Sequence, residues 1–198
     1  MIKNQNLLTA IFAFCAVLFS IQTINAQTAS RGSEEYTGTA ISFNGPRTAT
    51  AFFNLRITGE TSDEQARQYL AVLQQNGQDK ARDTIRQNDL GSFSVGNQLG
   101  RTLNVVRESS IDGKRRIFIV FERWERFAEL RGGYRSLDYP FGVIELYIDD
   151  ATGKGEGTYI AAARIRWIDD KNQVEVENFA TYPVKLTAVT RSNNKKKR

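Results

Sequence analysis

The sequence predicts an α+β fold, mainly antiparallel β, with about eight strands arranged as a barrel or a sandwich and a helical insertion after the second strand. Three observations predict it. Apolar residues alternate at a two-residue period in most segments after Tyr36, turn residues separate those segments into consecutive hairpins, and only one region carries helical spacing behind a capping signal.

Tyr36–Phe43 and Thr48–Thr58 flank the turn Asn44-Gly45-Pro46-Arg47. In the second run Ala51, Phe53, Leu55 and Ile57 alternate with Phe52, Asn54 and Arg56, so one face is apolar and the other mixed. Thr61-Ser62-Asp63-Glu64-Gln65 reads as a helix start, because the Ser62 hydroxyl can take a free amide and Gln65, three residues on, can return to the cap. Ala66, Tyr69, Leu70 and Leu73 keep helical spacing until Asn76-Gly77, and a shorter helix follows over Asp79–Asn88. Strands then resume at Ser92–Val95, Thr102–Arg107, Arg115–Phe121, Val143–Ile148, Glu156–Ile168 and Gln173–Thr190. The segment Asp149–Gly157 reads as a hairpin connection. It lacks both the alternating oxygen donors of a calcium loop and the GxxxxGK[ST] pattern of a phosphate loop.

Residues 1–26 have the layout of a secretory signal peptide: Lys3, the apolar run Leu7–Phe19, and Asn25-Ala26 before Gln27. Thr9, Ser20, Gln22 and Thr23 dilute that run below what a membrane span requires, so the mature chain is expected to have no transmembrane helix. Cys15 follows Phe14 inside the run, which argues against lipidation there. Export places the chain in the periplasm or the medium. Residues 27–35 read as a flexible lead-in, 36–190 as a single β-rich domain and 191–198 as a basic disordered tail.

The chain has no His, and its one Cys and one Met lie within residues 1–26. The mature domain therefore cannot carry Ser-His-Asp or Cys-His nucleophile chemistry, or zinc, haem and iron–sulfur sites of the usual kinds. No cofactor and no metal site are expected, with only oxygen-ligand ions left open. Without disulfides the core alone must hold the fold, and about 170 residues suffice to bury roughly 70% of the unfolded surface. The formal charge is +5, but Arg191, Lys195, Lys196, Lys197 and Arg198 supply five positives and Lys3 one, leaving residues 27–190 at −1. A specific nucleic-acid face is not expected. Lys195, Lys196, Lys197 and Arg198 offer at most a weak contact with an anionic surface.

The segment Phe121–Phe141 concentrates aromatic and charged side chains. Arg123, Trp124, Tyr134, Arg135, Asp138 and Tyr139 are its candidate ligand-binding residues, since exposed rings stack on planar ligands and arginine forks bind carboxylates or phosphates. The competing reading has the rings packing the loop on the sheet, with Arg135 and Asp138 tying its neck. Glu122, Glu125, Glu129, Asp138 and Glu145 raise the possibility of a carboxylate pair, as glycosidases use. Arg123, Arg126, Arg131 and Arg135 among them point instead to structural ion pairs, and no catalytic residue is assigned.

Arg115-Arg116-Ile117, Arg135-Ser136-Leu137-Asp138-Tyr139-Pro140-Phe141, Ile144-Glu145-Leu146 and Gly153–Gly157 together resemble a signature of a group of exported, uncharacterised bacterial proteins. That signature reads R-R-I, then an arginine and an aromatic, R-S-x-D-Y-P-F, I-E-L and G-K-G-E-G. Glu177–Val189 continues the likeness, which covers roughly Ile41 to Val189; Trp124 stands where a proline often follows the arginine. The resemblance implies a single exported domain and brings no activity. Taken together, these features lead to an expected non-enzymatic binding or structural domain of the cell envelope, its partner a small ligand, a glycan or an envelope component. The alternative is a carboxylate-based hydrolase acting on envelope polysaccharide.

Overall fold

A computed structural model describes residues 32–44, 47–123, 135–168, 173–179 and 182–192. Ten strands and one kinked helix account for most of them: β1 (Glu34–Asn44), β2 (Arg47–Ile57), α1 (Asp63–Ile85), β3 (Gly91–Val95), β4 (Arg101–Thr102), β5 (Val105–Ile111), β6 (Lys114–Glu122), β7 (Phe141–Asp149), β8 (Lys154–Ile168), β9 (Gln173–Asn178) and β10 (Val184–Ser192). The strands form a single sheet in the order β4-β3-β2-β1-β10-β8-β7-β6-β5, with β9 on β8. Every pairing is antiparallel. The sheet is not closed, and β4 and β5 are its edges.

Two long runs are each divided, which raises the count from about eight to ten. Thr102–Arg107 splits at Leu103-Asn104 because consecutive residues serve different partners. The Leu103 amide donates to the Gly91 carbonyl (2.9 Å), while the Asn104 amide donates to the Val120 carbonyl (3.1 Å). The chain thus steps from one edge of the sheet to the other within two residues, and the edges meet there. Gln173–Thr190 splits into β9 and β10. Ala163 pairs with Phe141 of β7 and with Asn178 of β9, so β9 lies on the same flank of β8 as β10.

Helix α1 begins as its capping residues demand. The Ser62 hydroxyl accepts from the Gln65 amide (3.2 Å), and Gln65 accepts from the Ser62 amide (2.9 Å). Gly77 breaks the helix at φ 79°, a conformation cheap only for glycine, so α1 consists of two helical segments across a kink at the expected Asn76-Gly77 stop. Beyond the kink, Gln78 spans the exposed edge of β8, donating to the Ile165 carbonyl (2.6 Å) and accepting from the Ile165 amide (3.1 Å).

The sheet has two apolar faces. Tyr36, Phe53, Leu55, Phe93, Leu103, Ile117, Ile119, Phe121, Ile144, Leu146, Ile148 and Leu186 are buried in one core. Its ring contacts, Phe53–Phe93 (6.0 Å), Phe93–Phe121 (6.0 Å) and Phe93–Tyr159 (5.1 Å), are each worth about 0.5–1.5 kcal/mol beyond the area they bury. On the other face α1 covers a second core that includes Ala81, Ile85, Val120, Phe141, Val143, Ala163 and Ile165. A strand covered on both sides should read as a continuous apolar run, and Ile117-Phe118-Ile119-Val120-Phe121 does.

The Asp149–Gly157 segment is a hairpin connection with tight glycines. Asp149 accepts from the Ala151 and Thr152 amides (2.9 and 3.1 Å), and Gly153 sits at φ 68°. A Cβ on Gly155 or Gly157 would collide with the carbonyl oxygen of Tyr147 or Glu145 on β7. Those two glycines are therefore fixed by strand packing.

Candidate functional site

A recess lies between α1 and the helix-covered face of the sheet. It measures about 750 Å³, within the roughly 300–1,000 Å³ typical of small-ligand sites. Its depth is apolar: Tyr69, Leu73, Val120, Phe141, Val143 and Ile160 contribute from α1, β6, β7 and β8. Its mouth is polar, with Arg107, Arg116, Glu145 and Thr158 lining the sheet side.

Sheet register explains this gradient. On the helix-covered face Val105, Val120, Val143 and Ile160 form one cross-strand row, while Arg107, Phe118, Glu145 and Thr158 form the next. The gradient therefore runs along the strands from aliphatic to charged. The kink at Gly77 lets α1 cross these rows and turn back toward Glu122, where Arg86 donates to its carboxylate (2.5 Å).

Both mouth arginines are held in place. Arg107 donates to the Thr61 carbonyl (2.7 Å) and to Asp63. The Nε of Arg116 donates to Glu145, and its guanidinium lies 5.5 Å from the centre of the Phe118 ring. Tyr147 stands beside this pair, and its hydroxyl pKa is raised, first by burial and then by its hydrogen bond to Glu145. Glu108, also at the wall, bonds to Arg115 (3.2 Å), a side chain only 10% exposed that also pairs with Glu34.

Of the residues singled out around Phe121–Phe141, the described Arg123, Asp138 and Tyr139 do not line this recess. The Arg123 amide donates to the Pro140 carbonyl (3.0 Å) and its guanidinium to the Tyr139 carbonyl (2.6 Å). Tyr139 is buried, with its ring 5.0 Å from Phe179 and its hydroxyl donating to Glu177 (2.5 Å). That bond, ahead of Arg166 nearby, holds the Glu177 carboxyl below its ordinary value. Asp138 is exposed at the end of a single 3-10 turn, Arg135–Asp138, which places the Arg135 backbone at its start. Trp124 and Tyr134 lie outside the described residues, as do Glu125, Glu129 and the tail residues Lys195, Lys196, Lys197 and Arg198.

The carboxylate candidates that are described do not converge. Glu122 faces Arg86 and Arg82, whereas Glu145 faces Arg116. Among the described residues no group of three or more acidic side chains could hold a metal ion, and no helix is long and apolar enough to cross a membrane.

Sequence reasoning found the helix residues Tyr69, Leu70 and Leu73 but not the recess they overhang. The available signal was the polar interruption, Arg116 and Glu145, on strands otherwise apolar on both faces. Comparison with protein-family models, with curated proteins and with solved structures gives no match.

Proposed function

We propose that the chain is an exported, non-enzymatic binding domain of the cell envelope, freed of residues 1–26 and carrying its ligand between α1 and the sheet. The observation that carries this reading is the 750 Å³ recess, apolar in depth and charged only at its mouth. Such a gradient suits a small ligand with an apolar body better than a glycan, whose hydroxyls would lack partners along the Val120, Val143 and Ile160 wall. In the same reading the curled sheet acts as an incompletely closed barrel. Its interior is filled by Phe53, Phe93, Phe121 and Tyr159, so the ligand lies outside it, under the helix. The Phe121–Phe141 segment is then architectural, its neck tied by Arg123 and Tyr139.

The test is titration of the full chain with a polarity-sensitive naphthalene sulfonate dye, with soluble glycans in parallel. Dye binding at one site, abolished by Leu70→Trp at unchanged melting temperature, is expected. Binding that survives Leu70→Trp, or a thermal shift given by glycans and not by apolar probes, contradicts the proposal.

A further inference from the structure

We propose that the occupant of this recess is a single-chain amphiphile with an anionic head, its chain beneath α1 and its head on Arg116. The inference rests on the binding reading above and adds the ligand's chemistry. A headgroup must sit where the wall turns polar, in the cross-strand rows holding Arg107, Glu145, Thr158 and, one step further out, Arg116.

Charge at that level decides the sign. Four charged side chains line the recess: Arg107, Glu108, Arg116 and Glu145. Glu108 turns to Arg115 on the other face of the sheet, which leaves Arg107, Arg116 and Glu145 as the charged lining on the helix-covered face. Asp63, 72% exposed, pairs directly with Arg107, so Arg116 is the arginine left to weigh. An anionic head meets two guanidiniums, whereas a cationic head meets the same two with their carboxylates, Asp63 and Glu145, already bonded to them.

Arg116 is the better docking point of the two. Glu145 takes its Nε–H, and the guanidinium is planar with five donors, a fork suited to carboxylates and phosphates. The contact with Phe118 holds that plane over the ring that leads from the polar row toward the aliphatic one. A chain attached to the bound head would run along Phe118 toward Val120 and Ile160.

Calorimetric titration of the full chain, below micelle-forming concentrations, tests this with decanoate, dodecanoate and tetradecanoate beside dodecanol and dodecyltrimethylammonium. Each added methylene should lower Kd about fourfold while the recess still has room. Dodecanoate should bind about tenfold or more tighter than dodecanol, and the ammonium weakest. Arg116→Gln should erase the carboxylate advantage while leaving dodecanol affinity intact, which also reports that the variant is folded. Glu145→Gln should tighten dodecanoate and leave dodecanol unchanged. Equal affinity for all three heads, or an unchanged preference in Arg116→Gln, overturns the anionic-head inference alone. If no chain binds with any head, the binding reading falls with it.

Discussion

Replacing Asn104 with alanine should cost about 2–4 kcal/mol, because this one amide ties the turn after α1 to β6. Asn104 is 3% exposed, so its polar groups depend on protein partners. Its side chain donates to the Asn88 carbonyl (2.9 Å) and accepts from the Glu122 amide (2.8 Å). Asn88 reciprocates, donating to the Asn104 carbonyl (3.0 Å) and to the Tyr69 hydroxyl (2.8 Å), so the clamp also anchors the chain leaving α1. Alanine leaves one donor and one acceptor of the backbone without partners, at about 1–3 kcal/mol each; partial solvation favours the lower half of the summed range. The assay is urea unfolding followed by circular dichroism, with the midpoint expected to fall at unchanged slope. Melting should drop by roughly 4–16 °C for a domain of this size. Asn104→Asp keeps the acceptor but sets a carboxylate against the Asn88 carbonyl, so it should be worse than alanine at neutral pH and recover on acidification. A loss below about 0.5 kcal/mol, the level of an ordinary surface change, would refute the clamp.

Gly157→Ala forces a Cβ onto the Glu145 carbonyl of the paired strand and should destabilise at the upper end of about 1–3 kcal/mol or beyond, read as a lowered urea midpoint; Gly32→Ala, with open space around it, should be neutral. Tyr139→Phe removes the main cause of the depressed Glu177 pKa. A depressed carboxylate stabilises above its unfolded value and loses that contribution as pH falls through the folded one. The midpoint gap between wild type and Tyr139→Phe should therefore narrow from about pH 7 to about pH 3, starting below the ordinary 4.5, and a gap independent of pH would remove the Tyr139–Glu177 bond from the acid response.

What the sequence made legible was whatever local spacing encodes. The two-residue period in Ala51–Ile57 marked the buried row Phe53, Leu55 and Ile57, and the Ser62/Gln65 box placed the helix start to the residue. The breaks at Leu103-Asn104 and between β9 and β10 were not legible, because they are set by which distant strand receives each amide. The same holds for the recess. Tyr69 and Ile160 lie far apart in the chain, and only the β6-β7-β8 register together with the Gly77 kink brings them to one wall. In the crowded Phe121–Phe141 segment, Arg123 bonds to the Pro140 and Tyr139 carbonyls and Tyr139 to Glu177, while Trp124 and Tyr134 lie outside the described residues.

That contrast bears on how a chain without His and with no Cys or Met after residue 26 can still have a specific site. Recognition needs only a gradient of polarity and one well-oriented charge, and antiparallel register supplies both by stacking like residues in rows across strands. Arg116 is restrained three ways, by Glu145, by the Phe118 ring and by its place on β6, so ordering it would cost little further entropy on binding. The tight glycines serve the same end. Gly157 pairs with Leu146, beside Glu145 in β7, and the close approach of β8 that it permits keeps Thr158 opposite Glu145. Gly155 and Gly157 thus fix β8 against Tyr147 and Glu145 of β7, the strand whose Glu145 carboxylate bonds Arg116. On this argument Gly155 and Gly157, which carry no chemistry of their own, hold the polar row of the recess in register.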